Sequence, residues 1–174
     1  MTESEVFESV TGSGSSDFAT LVEILNRHGN WCLIGGLAVN CYVEPVYTLD
    51  ADIVVISSEL SGIKEELIAA GFGVEEFPYS LKAQMPGSDL RIQLSLDPRY
   101  QGFLGHTRVF QVLGNEVPVA SLTDVVRGKI WAFTDDKRRA TKRKKDELDL
   151  MRILEAYPET RDLMPDKISE QISE

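Results

Sequence analysis

Two aspartates, Asp50 and Asp52, interrupt an otherwise apolar run, LDADIVVI, at residues 49–56. In a β-strand, side chains two residues apart leave from the same face, with their Cα atoms roughly 6.5–7 Å apart. Burying an unpaired carboxylate is costly enough that the group usually neutralises or finds a cation. Mg²⁺ fits, because it usually takes one or two carboxylates and completes its shell with water and phosphate. The alternative is a strand end with two exposed aspartates that make caps or salt bridges.

A glycine pair, Gly35-Gly36, precedes these aspartates and follows a short apolar run at residues 31–34. A strand followed by glycines and a helix N-terminus presents free backbone N–H groups and the positive end of the helix dipole, which favour phosphate. By itself the pair could be only a tight turn. Together with Asp50 and Asp52, it predicts a site that holds a phosphate chain and its metal, as transfer from a nucleoside triphosphate requires.

Two charged residues fall on apolar helix faces further along the chain. Lys129 shares the face of Val125 and Val126. Asp146 continues the apolar stripe of the last expected helix. A lysine aimed inward usually reaches solvent with its amine or pairs with a carboxylate, and the functional alternative is a cation that contacts phosphate. Asp146 could correspondingly pair with Lys129 or Arg139, or orient a substrate.

Composition and charge limit the class of protein. The chain has 174 residues, 43% of them apolar, which suits one soluble domain with a real core. No apolar run approaches the roughly 20 residues of a membrane span, and the acidic start MTESEVFESV lacks a secretory signal, so we expect a cytoplasmic protein without a membrane contact. The net charge of −10 argues against a general nucleic-acid binder.

The basic residues are nevertheless concentrated in one place. Seven of the 18 lysines and arginines fall within residues 137–145, which we call the basic strip. A dense basic strip in an acidic protein could hold a polyanion such as an RNA acceptor. The alternative is a solvated helix face whose charges pair with nearby acids.

The elements expected around these residues form a mixed α/β domain. Helices are expected at residues 17–28, 37–42, 58–70, 121–133 and 137–157, and strands at 31–34, 49–56, 73–77, 90–96, 109–113 and 117–120. Residues 1–16 are expected to form a flexible tail and residues 159–174 a polar C-terminal tail, which leaves one domain at residues 17–158. This order predicts an α/β (α+β) fold with a mixed β-sheet, packed helices and a C-terminal helical pair.

The stretch LIGGLAVNCYVEPVYTLDADIVV resembles the signature of the nucleotidyltransferase superfamily, in which a glycine pair, a spacer and Asp-x-Asp between apolar residues follow one another. It is similar in particular to a minimal bacterial branch that includes abortive-infection toxins and their antitoxin-like relatives. The resemblance covers residues 17–157. It implies a nucleotidyltransferase-like fold, with Asp50 and Asp52 as ligands of Mg²⁺ or Mn²⁺ and with Gly35 and Gly36 in contact with the triphosphate.

One position departs from the family pattern. A third acid is expected on the polar face of a neighbouring strand, and in Arg91-Ile92-Gln93-Leu94 that position holds Gln93. A neutral amide coordinates a metal weakly, is a poor base and removes a charge from a two-metal site. The Lys-Asp pair that the family often has is matched by Lys145 and Asp146.

The resemblance therefore implies metal-dependent transfer of a nucleoside monophosphate from a nucleoside triphosphate to a hydroxyl of RNA or protein. We expect three catalytic residues, Asp50, Asp52 and Lys129, and five residues that contact the nucleotide, Gly35, Gly36, Gln93, Lys145 and Asp146. The alternative, which Gln93 favours, is a catalytically degenerate nucleotide-binding or antitoxin-like module. Both the active transferase and the degenerate module could have a toxin or an antitoxin as a partner protein.

Overall fold

One mixed sheet forms the centre of the molecule. The computed structural model describes Thr2, Glu5, Phe7 and residues 11–173. The strands in this part of the chain are β1 (Trp31–Ile34), β2 (Asp50–Val55), β3 (Gly73–Phe77), β4 (Ser80–Gln84), β5 (Arg91–Ser95), β6 (Thr107–Val112) and β7 (Asn115–Ala120). Their order is β3-β4-β5-β2-β1-β7-β6. The pairs β2–β5 and β1–β7 are parallel and the other pairs are antiparallel.

Helices pack on the sheet in two groups. The described α-helices are α1 (Gly14–Leu25), α2 (Gly35–Tyr42), α3 (Leu60–Ala69), α4 (Pro98–Gln101), α5 (Leu122–Phe133), α6 (Ala140–Ala156) and α7 (Asp166–Ser169), with 3₁₀ helices at Ser57–Glu59, Gly102–Gly105 and Pro158–Leu163. Helix α1 contacts α3, whereas α2 contacts both α5 and α6, which pack against each other. Within the described residues, no helix has the length and apolar character that a membrane crossing needs.

The side-chain pattern of β2 explains its central place in the sheet. Ala51, Ile53 and Val55 point to one face and are at most 1% exposed. Asp50 and Asp52 point to the other face and are only half-buried. Because successive side chains of a strand alternate between faces, the same strand supplies both core packing and a pair of carboxylates.

The expected mixed sheet with packed helices and a C-terminal helical pair is confirmed. The expected strands at 109–113 and 117–120 form the hairpin of β6 and β7, and the expected strand at 73–77 is β3, at one edge of the sheet. Strand β4 was not expected, because its sequence, SLKAQ, is short and only Leu81 and Ala83 are buried. Those two residues alternate with exposed ones and pair with β5.

Two helices begin three residues away from their expected starts. Helix α1 begins at Gly14 rather than Asp17, and the Ser13 hydroxyl donates a hydrogen bond to the Asp17 carboxylate in its first turn. Helix α6 begins at Ala140, so residues 137–139 form a turn before it.

The two expected tails fold at least in part. Most of residues 1–10 lie outside the described part of the chain, while residues 14–16 belong to α1. After Pro158, the expected polar tail contains a 3₁₀ turn and helix α7, because Met164 and Ile168 are buried against the rest of the domain.

Candidate active site

A cavity of about 960 Å³ opens between the sheet and the α5–α6 pair. Its lining includes all eight residues that the sequence singled out: Gly35, Gly36, Asp50, Asp52, Gln93, Lys129, Lys145 and Asp146. They come from α2, β2, β5, α5 and α6. The fold therefore brings these residues together although they span more than half of the sequence, and their individual roles stay predictions.

Gly35 and Asp52 are in close contact at the centre of this cavity. The register pairs Ile34 with Asp52, so the turn after β1 lies beside the carboxylate. Gly35 has φ +72°, and a Cβ built on it would overlap Asp52 Oδ2. Only glycine allows both this backbone conformation and this approach. The glycine turn expected from the sequence is thus present, with α2 beginning at Gly35 itself.

The two aspartates differ in their electrostatic surroundings. Burial works against ionisation of Asp50, but hydrogen bonds and charges from Arg91 and Lys142 outweigh it and lower the pKa of the carboxyl. For Asp52, burial raises the pKa, although the nearby charge of Lys129 opposes this shift. Among the described residues, Asp52 makes no hydrogen bond and no ion pair. Its oxygens are therefore available to a ligand in the cavity.

Gln93 lies directly beside Asp52. The parallel β2–β5 ladder pairs Asp52 with Gln93 and Asp50 with Arg91, and the antiparallel β4–β5 ladder pairs Gln93 with Lys82. Paired residues of adjacent strands point to the same face of a sheet. The expected position of Gln93 next to the two aspartates is confirmed, and its exposed amide lines the cavity.

A buried ion-pair network joins α5 to α6. Lys129 is 8% exposed, and its Nζ lies 3.1 Å from Asp146 Oδ1 and 2.8 Å from Asp149 Oδ2. Arg138 Nε lies 2.7 Å from Asp146 Oδ2, and Arg152 donates to Asp149. Burial opposes the charged form of Lys129, yet the two carboxylates raise its pKa, so the lysine stays a cation.

The basic strip divides between the cavity and the surface. Arg138, Arg139, Lys142 and Lys145 line the cavity, whereas Lys137 and Lys144 do not. Lys144 pairs with Glu147 at 3.2 Å on the surface. Arg138 and Arg139 belong to the segment before α6, while Lys142 and Lys145 lie three residues apart and therefore on one side of that helix. Most of the strip therefore faces the two aspartates rather than forming one continuous exposed helix face.

The residues present fit a divalent metal that arrives with a phosphate ligand. No cluster of three or more histidine, cysteine, aspartate or glutamate side chains suited to a metal occurs in the part of the chain that the structure describes. Two carboxylates on one strand face, one of them unpaired, leave most of the coordination shell to water and phosphate, which is the usual arrangement for Mg²⁺. The cradle at Gly35, which a Cβ would fill, lies at the same carboxylate.

Sequence reasoning assigned no role to several residues of the cavity wall. Asp149 could have been found, because it lies three residues after Asp146 and therefore on the same side of α6. Alternation along the strand puts Arg91 on the same face as Gln93, but its contact with Asp50 depends on the pairing of β5 with β2. No local pattern in the sequence specifies that pairing.

Comparison with known proteins relates the fold to solved structures. No protein-family model matches the sequence, and no curated protein sequence matches it either. The structure of ANT(2″)-Ia in complex with adenylyl-2″-tobramycin is similar with a TM-score of 0.63, at 12% identity over 91% of this chain and 98% of that chain. A lincosamide antibiotic adenylyltransferase, LnuA, bound to lincomycin, is similar with a TM-score of 0.51, at 13% identity over 76% of this chain and 94% of that chain.

A third solved structure extends the comparison beyond antibiotic modification. An antigenic nucleotidyltransferase-like protein from Paracoccidioides brasiliensis is similar with a TM-score of 0.54, at 15% identity over 83% of this chain and 77% of that chain. At these identities, the likeness establishes the fold. The chain therefore has the nucleotidyltransferase fold that its glycine pair and aspartates predicted.

Proposed function

We propose that the protein transfers a nucleoside monophosphate from a nucleoside triphosphate to an acceptor hydroxyl. The observation that carries this proposal is Asp52, an unpaired carboxylate that lies against the Gly35 turn in a cavity walled by lysines and arginines. A metal ligand, a phosphate cradle and countercharges for phosphate are the components that such a transfer needs. The fold shared with two antibiotic adenylyltransferases supports the same reaction class.

In the proposed reaction, the acceptor oxygen forms a bond to the α-phosphorus while the bond from that phosphorus to the bridging oxygen breaks. Pyrophosphate leaves, and the hydroxyl proton passes to water. Mg²⁺ or Mn²⁺, when bound by Asp50 and Asp52, would offset the charge that develops on the phosphate oxygens. Arg139 and Lys145, which line the cavity without an acidic partner among the described residues, would bind the phosphate chain. Lys129 contributes a fixed positive charge near Asp52.

A second candidate function is nucleotide binding without turnover, and Gln93 favours it. The side chain beside Asp52 is an amide, which cannot accept the proton of the hydroxyl. A degenerate module of this kind would act through a partner protein, such as a toxin or an antitoxin. The abortive-infection branch stays a prediction from the sequence resemblance.

The first experiment measures binding and transfer together. The protein is incubated with each labelled nucleoside triphosphate, with Mg²⁺ or Mn²⁺, and with bulk RNA, while melting curves report ligand binding. We expect metal plus nucleotide to raise the melting temperature, because a ligand that binds only the native state stabilises it. The double variant Asp50→Asn/Asp52→Asn should lose this shift and keep its fold.

The matched control is the double variant Glu159→Gln/Asp162→Asn, which removes two exposed acids that do not line the cavity. It should keep the ligand-induced shift. A shift of equal size in Asp50→Asn/Asp52→Asn would contradict the metal site. Binding without label transfer to any acceptor would favour the second candidate.

The acceptor is tested through the part of the basic strip that faces solvent. If Lys137 and Lys144 contact RNA, affinity falls steeply with salt, because each neutralised phosphate releases counterions. Lys137→Gln/Lys144→Gln should then flatten that dependence, whereas Lys64→Gln/Lys167→Gln should not. RNA binding that does not change with salt, or no binding at low salt, would leave a protein hydroxyl as the proposed acceptor.

A further inference from the structure

Asp50 is held by two cations of the protein itself. Arg91 donates from Nε to Asp50 Oδ1 at 2.7 Å, and Lys142 Nζ lies 3.5 Å from Asp50 Oδ2. Arg91 lies opposite Asp50 in the β2–β5 ladder, and Lys142 comes from α6. Both oxygens of Asp50 therefore face a positive charge, whereas Asp52, two residues later, has no such partner in the described chain.

These cations compete with a metal for the same oxygens. A divalent ion of the Mg²⁺ type lies about 2.0–2.1 Å from each ligand oxygen. A guanidinium that stays on the same carboxylate would then lie a few ångströms from the metal, and like charges at that distance repel each other. Arg91 therefore opposes a metal at either oxygen of Asp50 for as long as its guanidinium stays on this carboxylate.

Arg91 is able to withdraw without disturbing the core. Its side chain is 52% exposed and lines the cavity. A phosphate chain in the cavity would offer it another partner, because guanidinium binds phosphate oxygens in the same forked geometry that it uses for carboxylates. A polyphosphate also carries more negative charge than the single carboxylate it replaces.

We infer that Arg91 makes metal binding at Asp50 conditional on a polyphosphate ligand, an inference that rests on the proposed function. In the absence of phosphate, Arg91 occupies Asp50 and the divalent metal binds weakly. When the triphosphate enters, Arg91 moves to it and Asp50 becomes free to bind metal. Metal and polyphosphate then bind with positive coupling, and each raises the affinity of the other by the same factor. Arg91 is in this sense a positioning residue that selects the metal–nucleotide complex over free metal.

The first test measures Mn²⁺ alone, by the paramagnetic resonance signal of the free ion, in the wild type and in Arg91→Gln. We expect the variant to bind Mn²⁺ about tenfold more tightly, because a positive charge next to the metal is removed. The matched control is Lys82→Gln, which removes the same charge from the same cavity wall. Lys82 Nζ lies 5.1 Å from the centre of the Phe77 ring and is not paired with Asp50. The affinity of the Lys82→Gln variant for Mn²⁺ should therefore stay within about twofold of that of the wild type.

The second test measures coupling with inorganic tripolyphosphate, which has no base to recognise. Calorimetry measures the affinity of the protein for tripolyphosphate twice, once with a chelator that removes divalent metal and once with saturating Mn²⁺. The ratio of the two affinities should be large in the wild type and smaller in Arg91→Gln. Arg91→Lys keeps the positive charge but cannot make the two parallel hydrogen bonds of a guanidinium, so it should give an intermediate ratio. Melting curves establish that each variant is folded.

Three outcomes would overturn the inference. Equal Mn²⁺ affinity in the wild type and Arg91→Gln would show that Arg91 does not compete with the metal. An equal gain in Lys82→Gln would show a general field effect rather than an effect of the Arg91–Asp50 pair. Binding of neither Mn²⁺ nor Mn²⁺–tripolyphosphate by any variant would overturn the proposed function as well, whereas the first two outcomes leave it standing.

Discussion

Gly35 and Asp52 fit together so closely that a Cβ on residue 35 would overlap the Asp52 carboxylate. The contact joins the turn after β1 to the polar face of β2. It relates the two halves of the proposed site, the phosphate cradle and the metal ligand, by a direct steric constraint. A change at either residue is therefore expected to affect the other.

The substitution Gly35→Ala tests that constraint. A left-handed backbone costs a non-glycine residue about 1–2 kcal/mol, and the Asp52 side chain must also move. We expect the unfolding free energy to fall by at least this amount in chemical denaturation. Gly36→Ala is the matched control for stability, because its Cβ would meet nothing nearer than Thr48 Oγ1 at 3.6 Å.

The double variant Gly35→Ala/Asp52→Ala completes a cycle with the single variants. If the overlap with the carboxylate is the cause, the alanine at residue 35 should destabilise less once Asp52 is truncated. Additive effects in the cycle would show that the backbone conformation alone is responsible.

The substitution Gln93→Glu tests whether the missing acid limits the metal site. Gln93 lies opposite Asp52, so a carboxylate there would add a charged oxygen to the same strand face. We expect tighter Mn²⁺ binding and, if acid loss limits turnover, a gain of transfer activity. Without metal the variant should be less stable, because three carboxylates repel one another, although Lys82 across the ladder reduces this repulsion.

The control for this charge change is Gln111→Glu on β6, an exposed position at the opposite edge of the sheet. It should leave Mn²⁺ binding unchanged. Unchanged activity in Gln93→Glu, when the wild type already turns over, would mean that Asp50 and Asp52 suffice for the reaction.

The substitution Lys129→Met tests the buried network between α5 and α6. It removes the cation that Asp146 and Asp149 share, and the loss of one partner from a buried ion-pair network is strongly destabilising although Arg138 and Arg152 remain. We expect a loss on the order of 3 kcal/mol in unfolding free energy. Lys144→Met removes the ion pair that this exposed lysine of α6 makes with Glu147, three residues later, and should cost less than about 1 kcal/mol. Equal losses in the two variants would contradict a buried structural network.

A pH dependence of stability is expected from His28, which does not line the cavity. Its Nδ1 lies 3.0 Å from Glu59 and its Nε2 contacts Glu66. The hydrogen bond with Glu66 raises the pKa of His28 above its ordinary 6.5, although burial opposes this shift. The folded state therefore favours the protonated ring. Its contribution to the free energy of unfolding is complete below about pH 6.5, the ordinary pKa, and is lost as the pH rises through the higher pKa of the folded state.

The measurement compares wild type with His28→Gln in urea unfolding across that range of pH. The wild type should be more stable than the variant at low pH, and the difference should shrink towards alkaline pH. In a Glu66→Gln background the difference should vary less with pH, because the main partner of the ring is lost. A stability difference between the wild type and His28→Gln that grows as the pH rises would contradict a raised pKa for His28.

The sequence by itself determined the local components of this protein. The alternation in β2 fixed Asp50 and Asp52 on one face, since the side-chain period of a strand is two. The glycine pair fixed a turn that a larger residue could not make, and the inward faces of α5 and α6 placed Lys129 and Asp146 where the two helices meet. These features follow from short-range geometry, which the order of residue types specifies directly.

Only the tertiary structure decided which of these components touch. Arg91 reaches Asp50 because β5 pairs with β2 in one register, and a slip of one residue would send its side chain to the opposite face. Lys142 reaches the same aspartate because α6 packs against α5 and α2. Strand pairing and helix placement are chosen by burial summed over the whole domain, and no short stretch of sequence contains that sum.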